Sequence, residues 1–263
     1  MNARPKKSFG QHFLHDRSYI DRIVRAIAPQ AADTVVEIGP GEGALTLPLL
    51  AVAGKLTAIE LDSDLIPGLT ARAAAVGALE IIQADVLRVD FSALATRLGA
   101  TRLRIAGNLP YYISSPILFH CVEHAAAIQD MHFMLQKEVV DRMAAEPGSK
   151  VYGRLSVMLQ LACRVEPLFT VPPGAFRPPP KVDSAVVRLL PLPPEQRHDA
   201  DPDRVQAIVK AAFGQRRKTL ANSLKQLLGS DAIASAGIDP KARAETLAPM
   251  DFVRLAMLEP PAL

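Results

Sequence analysis

Hydrophobic positions in the first half of the chain alternate between two periods. Residues 16–29, DRSYIDRIVRAIAP, set Ile20, Ile23 and Ile27 at helical spacing, and Pro29 ends the run. Short apolar runs follow at 34–38, 55–60, 79–83, 103–106 and 131–135, with helical patterns at 44–52, 63–75 and 116–123 between them. Buried strands separated by helices predict βαβ units and a parallel sheet. The pattern changes at 167–194, which holds nine of the 22 prolines and encloses one more apolar strand at 185–190. Beyond it, Asp201-Pro202 and Asp239-Pro240 read as N-cap and N1 pairs of helices. The expected architecture is an α/β domain over residues 1–195 and a small all-helical domain over 196–263.

Composition narrows the class. The chain has 263 residues, 49% of them hydrophobic, enough for a sizeable core. No apolar run is long enough to span a bilayer, and the basic N-terminus is not followed by a signal-peptide core. Cys121 and Cys163 have no metal-ligand spacing and read as buried thiols in a reducing cytosol. Charge is unevenly spread: residues 1–30 carry six Lys/Arg against two Asp, 31–195 carry 14 basic against 17 acidic, and 196–263 carry ten against eight. Within 204–230 there are six basic residues (Arg204, Lys210, Arg216, Arg217, Lys218 and Lys225) and no acid. Such a block suggests contact with a polyanion; a solvated helix face is the alternative.

The candidate chemistry lies where the strands end. VVEIGPGEGALT (35–46) follows the first sheet strand and opens a helix, and Gly39, Gly41 and Gly43 allow a tight turn and close approach of a ligand. Gly39-x-Gly41-x-x-Ala44 also fits the dinucleotide fingerprint, so a hydride-transfer enzyme stays open at this stage. Glu60 ends the next strand, where it can accept hydrogen bonds from a ribose, and Asp85 ends the third. A glycine turn and two acids delivered to one sheet edge favour an adenosine-containing ligand.

Residues 105–112, IAGNLPYY, run a fourth strand into the same edge. An adenine amino nitrogen is a poor nucleophile because its lone pair is delocalised into the ring. The Asn108 side-chain oxygen and the Leu109 carbonyl could accept its two N–H bonds, with Pro110 fixing the turn. Tyr111 could then stack on the base, and base–aromatic stacking of roughly 1–3 kcal/mol is enough to hold an extruded base.

With these motifs stand FGQHFL (9–14), AIELD (58–62), FMLQKEVVDRM (133–143), YGRLSV (152–157), FRPPPKVDSAVV (176–187) and FGQRRKTLANSL (213–224). In this combination the chain resembles the rRNA adenine N6,N6-dimethyltransferases over nearly its whole length. The resemblance implies a Rossmann-like, S-adenosylmethionine-dependent methyltransferase domain with an N-terminal segment covering the cofactor, and a helical RNA-binding domain. It implies methylation of two adjacent adenosines near the 3′ end of small-subunit (16S) rRNA, by a cytoplasmic monomer acting on an assembling small ribosomal subunit. Carried over by residue, His12 and Leu14 contact the cofactor from the N-terminal segment and Gly39 and Gly41 lie against its methionine part. Glu60 holds the ribose, Asp85 binds the adenine amino group, and Asn108 touches both cofactor and target base. Phe176 closes the target base opposite Tyr111, and Arg216, Arg217 and Lys218 contact RNA. His12 and Tyr112 depart from the Asn that the family often carries at each position.

His120 and His124 sit four apart, at helical spacing, but lack the carboxylates of a metal site, and no metal is expected. Two other readings remain: a large-subunit rRNA adenine methyltransferase, and a ribosome-assembly factor whose occupancy matters more than its chemistry.

Overall fold

The computed structural model describes residues 12–215 and 217–258. These fall into two compact units, and the boundary is not a single cut. Residues 141–165 belong with 192–263 in the second unit, while 166–191 return to the first. The expected division at 195/196 therefore misses a crossing. The chain leaves the first unit within a helix and comes back within a strand, so no linker composition marks either passage.

The first unit opens with β1 (Phe13–Leu14) and α1 (Arg17–Ile27). Asp16 caps α1 by accepting from the Ser18 N–H, the helix buries Ile20, Ile23 and Ile27, and Ala28 closes it in the left-handed conformation. Then come β2 (Val35–Ile38), α2 (Thr46–Ala53), β3 (Lys55–Glu60), α3 (Ile66–Ala73), β4 (Ala78–Gln83), α4 (Phe91–Arg97), β5 (Leu103–Asn108), α5 (Ser114–Glu123) and β6 (Ile128–Gln136). Of these α4 goes unread in the sequence: seven residues give too few turns for a period, although Asp90 caps it through Ser92 and Ala93 N–H groups.

After α6 (Lys137–Met143) and α7 (Arg154–Gln160), strand β7 (Cys163–Val171) leads to β8 (Phe176–Arg177) and β9 (Ser184–Pro191). Strand β7 also escapes sequence reading, because Pro167 lies inside it. The sheet runs β4-β3-β2-β5-β6-β9-β7, so β7 is an edge strand, where a missing N–H is tolerated. Strands β2 to β6 pair in parallel, and β9 lies antiparallel on β6. The path goes outward from β2 to β3 and β4, then crosses to β5 on the other side of β2. That reversal opens a crevice at the carboxyl ends of β2 and β5. Gly107 lets the two strands meet there, since a Cβ would stand 2.6 Å from the Ile38 carbonyl oxygen.

The second unit is helical, with α8 (Pro202–Phe213), α9 (Leu220–Ser223), α10 (Ser230–Ser235) and α11 (Pro249–Ala256) besides α7. Asp201 caps α8 as expected, accepting from Asp203 N–H. Helix α8 buries Val205, Ile208, Val209 and Ala212 in a core that includes Tyr152, Leu220, Leu224 and Phe252. Asp239-Pro240 does not start a helix. Asp239 accepts from the Lys241 N–H in a turn, and the Pro240 and Ala242 carbonyls that would feed a helix accept instead from Ala221 and Leu220. Nor does a full helix follow the break at Gly214: α9 has four residues, and Arg217 and Lys218 precede its cap, Thr219.

Candidate functional site

The crevice is walled by residues of the first unit. From β2 comes the turn 39–45. Gly39 and Gly41 hold φ of +66° and +56°, a region that disfavours side chains, and a Cβ at Gly39 would meet nothing within 4 Å. The Gly39 N–H donates to the Ile59 carbonyl (2.9 Å), and the Phe13 ring lies against Gly41.

Glu60, at the end of β3, is buried; its Oε1 accepts from the Asp62 N–H (2.8 Å) and its Oε2 from the Gly41 N–H (3.2 Å). Burial pushes its carboxyl up, against the pull of those two donors. Each oxygen keeps a further lone pair for a ligand. Asp85 after β4 spends one oxygen as the cap of a short 3₁₀ turn, accepting from the Leu87 N–H (3.0 Å), and leaves the other. The cap bond therefore occupies only one of the two carboxyl oxygens.

Asn108 ends β5 and is fixed from two sides. Its neighbour Leu109 donates its N–H to the Met134 carbonyl (3.1 Å), and its own Nδ2 donates to the His12 carbonyl (3.1 Å). A carbonyl can only accept, so this contact identifies Nδ2 and leaves Oδ1 as the acceptor. Pro110 opens a turn closed by Ile113 N–H on its carbonyl (3.2 Å). Tyr111 stacks on the His12 ring at 5.7 Å and 29°, while its hydroxyl meets Ser184 Oγ at 2.6 Å. His12 in turn bonds the Pro178 carbonyl through Nδ1 (2.7 Å). Leu14 joins the wall from β1, which pairs with β8 and so closes this side of the crevice.

The expected residues His12, Leu14, Gly39, Gly41, Glu60, Asp85, Asn108, Leu109, Pro110 and Tyr111 thus share one crevice. Phe176 does not line it. That ring is 2% exposed and packs with Leu14, Ile20 and Val186, because β8 turns its first residue into the core. In the second unit Arg217 and Lys218 are exposed, and Arg216 lies outside the described residues. His120 spends Nε2 on the Val89 carbonyl (2.8 Å) and packs edge-on against His124. Among the described residues no group of three or more His, Cys, Asp or Glu could hold a metal ion.

Sequence reasoning missed Glu37 and Asp62, both on the crevice wall. Glu37 is paired in register with Ala58 and Ala106, and burial, helped by the Glu60 charge and opposed by Thr46, pushes its carboxyl up to about 7. The signal was present: an acid inside an otherwise apolar central strand is costly unless used. With Glu42, five carboxylates line the crevice, and among the described residues no lysine or arginine joins them.

Such a crevice, at the switch point of an open parallel sheet, belongs to an α/β enzyme that takes an adenosine-containing ligand with cationic character. The model of the ribosomal RNA adenine dimethylase family matches residues 2–258, and the chain belongs to that family. It is 62% identical over 259 residues to "Ribosomal RNA small subunit methyltransferase A" of Xanthomonas oryzae, covering 98% of each chain. Among solved structures it is similar to a dimethyladenosine transferase from Plasmodium falciparum, with 28% identity, a TM-score of 0.79, and 93% of this chain and 96% of that one covered. The 23S rRNA methyltransferase ErmE follows at 26% identity and a TM-score of 0.69, with 93% and 98% covered.

Proposed function

We propose that this protein transfers methyl groups from S-adenosylmethionine to N6 of two adjacent adenosines near the 3′ end of small-subunit rRNA, giving N6,N6-dimethyladenosine. The observation that carries the reading is the sign of charge in the crevice. Its wall carries acidic side chains and, among the described lining residues, no lysine or arginine, which suits a sulfonium and an α-ammonium group even with Glu37 protonated. The acids oppose the pyrophosphate of a dinucleotide, which the glycine turn alone would have allowed. The crevice fits S-adenosylmethionine by its glycine cradle and by the spare acceptor positions of its acids.

Gly39 and Gly41 would hold the methionine part, Glu60 the ribose hydroxyls and Asp85 the adenine amino group, with His12 and Leu14 covering them. When bound, the cofactor supplies an electrophilic methyl group. The protein's task is to make an adenine amino nitrogen nucleophilic. Asn108 Oδ1 and the Leu109 carbonyl accept its two N–H bonds, drawing the nitrogen toward a tetrahedral shape with the lone pair turned outward. Oδ1 is available for this because Nδ2 is committed to His12. Pro110 sets the turn, and Tyr111 offers a ring face to the base. No general base is required, since an alkylated ammonium is acidic enough to release its proton to water. Phe176, being in the core, is not assigned to the base.

Arg216, Arg217 and Lys218 would contact rRNA phosphates, with an assembling small subunit as the substrate, a monomeric enzyme and a cytoplasmic setting. No described helix is long and apolar enough to cross a membrane. A relative named for the small subunit at 62% identity weighs more than ErmE at 26%, so the small-subunit target is favoured over the large.

The test is mass spectrometry of rRNA from unmethylated ribosomal particles treated with protein and cofactor. Two neighbouring dimethyladenosines in small-subunit rRNA are expected, and modification confined to large-subunit rRNA would overturn the assignment. Calorimetry with S-adenosylmethionine and with NAD tests the cofactor independently; tighter binding of NAD would remove the methyltransferase reading.

A further inference from the structure

Tyr111 is held more firmly than a ring that merely offers a face needs to be. Its backbone carbonyl accepts from Ser114 Oγ (3.2 Å), its face meets His12, and its hydroxyl reaches across 73 residues of sequence to Ser184. Ser184 is the first residue of β9, in register with Gln136, the last residue of β6. The preceding residue, Asp183, accepts the Lys137 N–H on its carbonyl (2.9 Å), so the start of the strand is tied to the end of β6 and the residue after it. Ser184 is 0% exposed, and the 2.6 Å contact to the Tyr111 hydroxyl is its side chain's tie to the site. A serine at the buried start of a strand is not needed for packing. It contributes a hydroxyl at a fixed position behind the crevice wall, on an element that supplies no residue to that wall.

We propose that Ser184 is a positioning residue, a latch that fixes the Tyr111 ring in the plane where it receives the target base. The inference rests on the methyltransferase reading above. A phenol held only at its Cβ end can swing about χ1 and χ2, and a stacking platform that swings loses part of its stacking energy to ordering. The short hydroxyl pair pins the far end of the ring. It also makes Tyr111 and Phe non-equivalent here, although stacking alone would treat them alike.

The test is a double-mutant cycle on Ser184→Ala and Tyr111→Phe, with single-turnover methyl transfer, substrate KM and cofactor affinity measured for each variant. Each single variant is expected to slow transfer by about three- to tenfold, the range of one hydrogen bond. Cofactor affinity should stay at the wild-type value. The double variant should be no slower than either single one, because both remove the same bond and the pair leaves no orphaned hydroxyl. Ser184→Thr, which keeps the hydroxyl, should recover most of the rate. Losses that multiply in the double variant, or a Ser184→Ala variant with wild-type rate, would overturn the latch. A separate readout needs no activity: in the protein alone, labelled with ¹³C at tyrosine Cζ, the Tyr111 resonance should move in Ser184→Ala. An unmoved resonance refutes the latch whatever the substrate is. A wild-type protein that moves no methyl group to RNA refutes the functional reading and leaves the resonance result standing.

Discussion

The two units handle charge in opposite ways. Glu37, Glu60, Asp62, Arg104 and Asp130 are buried, and all five belong to the α/β unit; in the helical unit the buried Ser156 and the Tyr152 hydroxyl are neutral, and among its described residues no Asp, Glu, Lys or Arg is buried. Ser156 is well satisfied, donating to the Arg142 carbonyl and accepting from the Gly153 N–H. The helical unit instead keeps Lys210, Arg217, Lys218 and Lys225 in water. Burying charge costs several kcal/mol per ion unless a partner repays it, so each buried group in the α/β unit has either a structural partner or a ligand to meet. Arg104 and Asp130 are of the first kind. The guanidinium bonds Asp130 at 2.7, 3.0 and 3.2 Å, Asp33 at 2.7 Å and the Ile27 carbonyl at 2.7 Å, clasping the end of α1 to the sheet. Glu37, Glu60 and Asp62 are of the second kind and face the crevice. Exposed cations cost little and meet partners diffusely, through field and salt-dependent contact.

The largest effect that would break this contrast is on stability. Arg104→Ala leaves Asp130 and Asp33 without their partner, and urea unfolding should register a loss of about 3–5 kcal/mol. Lys218→Ala in the other unit should stay within about 0.5 kcal/mol. Equal costs would mean that burial is not what separates the two kinds of charge.

Next in size is Asn108→Ala. If Oδ1 partners the reacting nitrogen, losing one positioned group should slow single-turnover transfer by roughly 10²–10³. Cofactor binding and circular dichroism should change far less. A rate near that of the wild type would show that the crevice acids alone define the site and that the NLPY turn is only a strand end.

How much of this was legible depended on whether the signal was local. Parallel strands buried on both faces read as continuous apolar runs, so β2, β3, β5 and β6 could be placed from sequence, and the short apolar run 79–83 gave the edge strand β4 as well; with them came the residues at their ends, Glu60, Asp85 and Asn108. The carboxyl-end rule then brought them together without any contact being known. What stayed hidden was set by partners far along the chain. Pro167 is compatible with β7 only because β7 lies at the edge. Phe176 looks like a base-stacking ring until the pairing of β8 with β1 turns it inward. Asp239-Pro240 has the local chemistry of a helix start, but the Pro240 and Ala242 carbonyls are claimed by Ala221 and Leu220. Ser184 carries no mark in its own neighbourhood of a bond to Tyr111.

A smaller effect sharpens the contrast through pH. Glu37 is raised from 4.5 to about 7, so the folded protein holds a proton that the unfolded chain releases. This contribution to stability is therefore complete below about pH 4.5 and is lost as pH rises through about 7. Across that window the wild type should lose stability relative to Glu37→Gln, which cannot titrate there, by on the order of a few kcal/mol. Urea midpoints at a series of pH values for both proteins give the difference directly. Parallel curves would mean that Glu37 is already ionised in the folded state, held by a donor in the crevice.

The smallest effect concerns the exposed cations. Arg217 and Lys218 sit just before Thr219, the cap of a four-residue helix whose dipole is too short to matter much, and among the described residues neither has an ion-pair partner. What remains unfavourable is like charge on neighbouring residues, which a polyanion would relieve. If they contact phosphate, changing both to Glu should weaken binding to the small ribosomal subunit. Each lost contact should also flatten the plot of log K against log salt by about 0.7–0.9. The contacts are diffuse and screened, so the effect should shrink as salt rises, unlike that of Arg104→Ala, whose buried ion pair is screened little. Filter binding at several salt concentrations, beside a cofactor titration that should not change, separates the two outcomes. An unchanged slope would make this block a solvated face, and would move the search for the RNA contact to the other exposed cations of the helical unit.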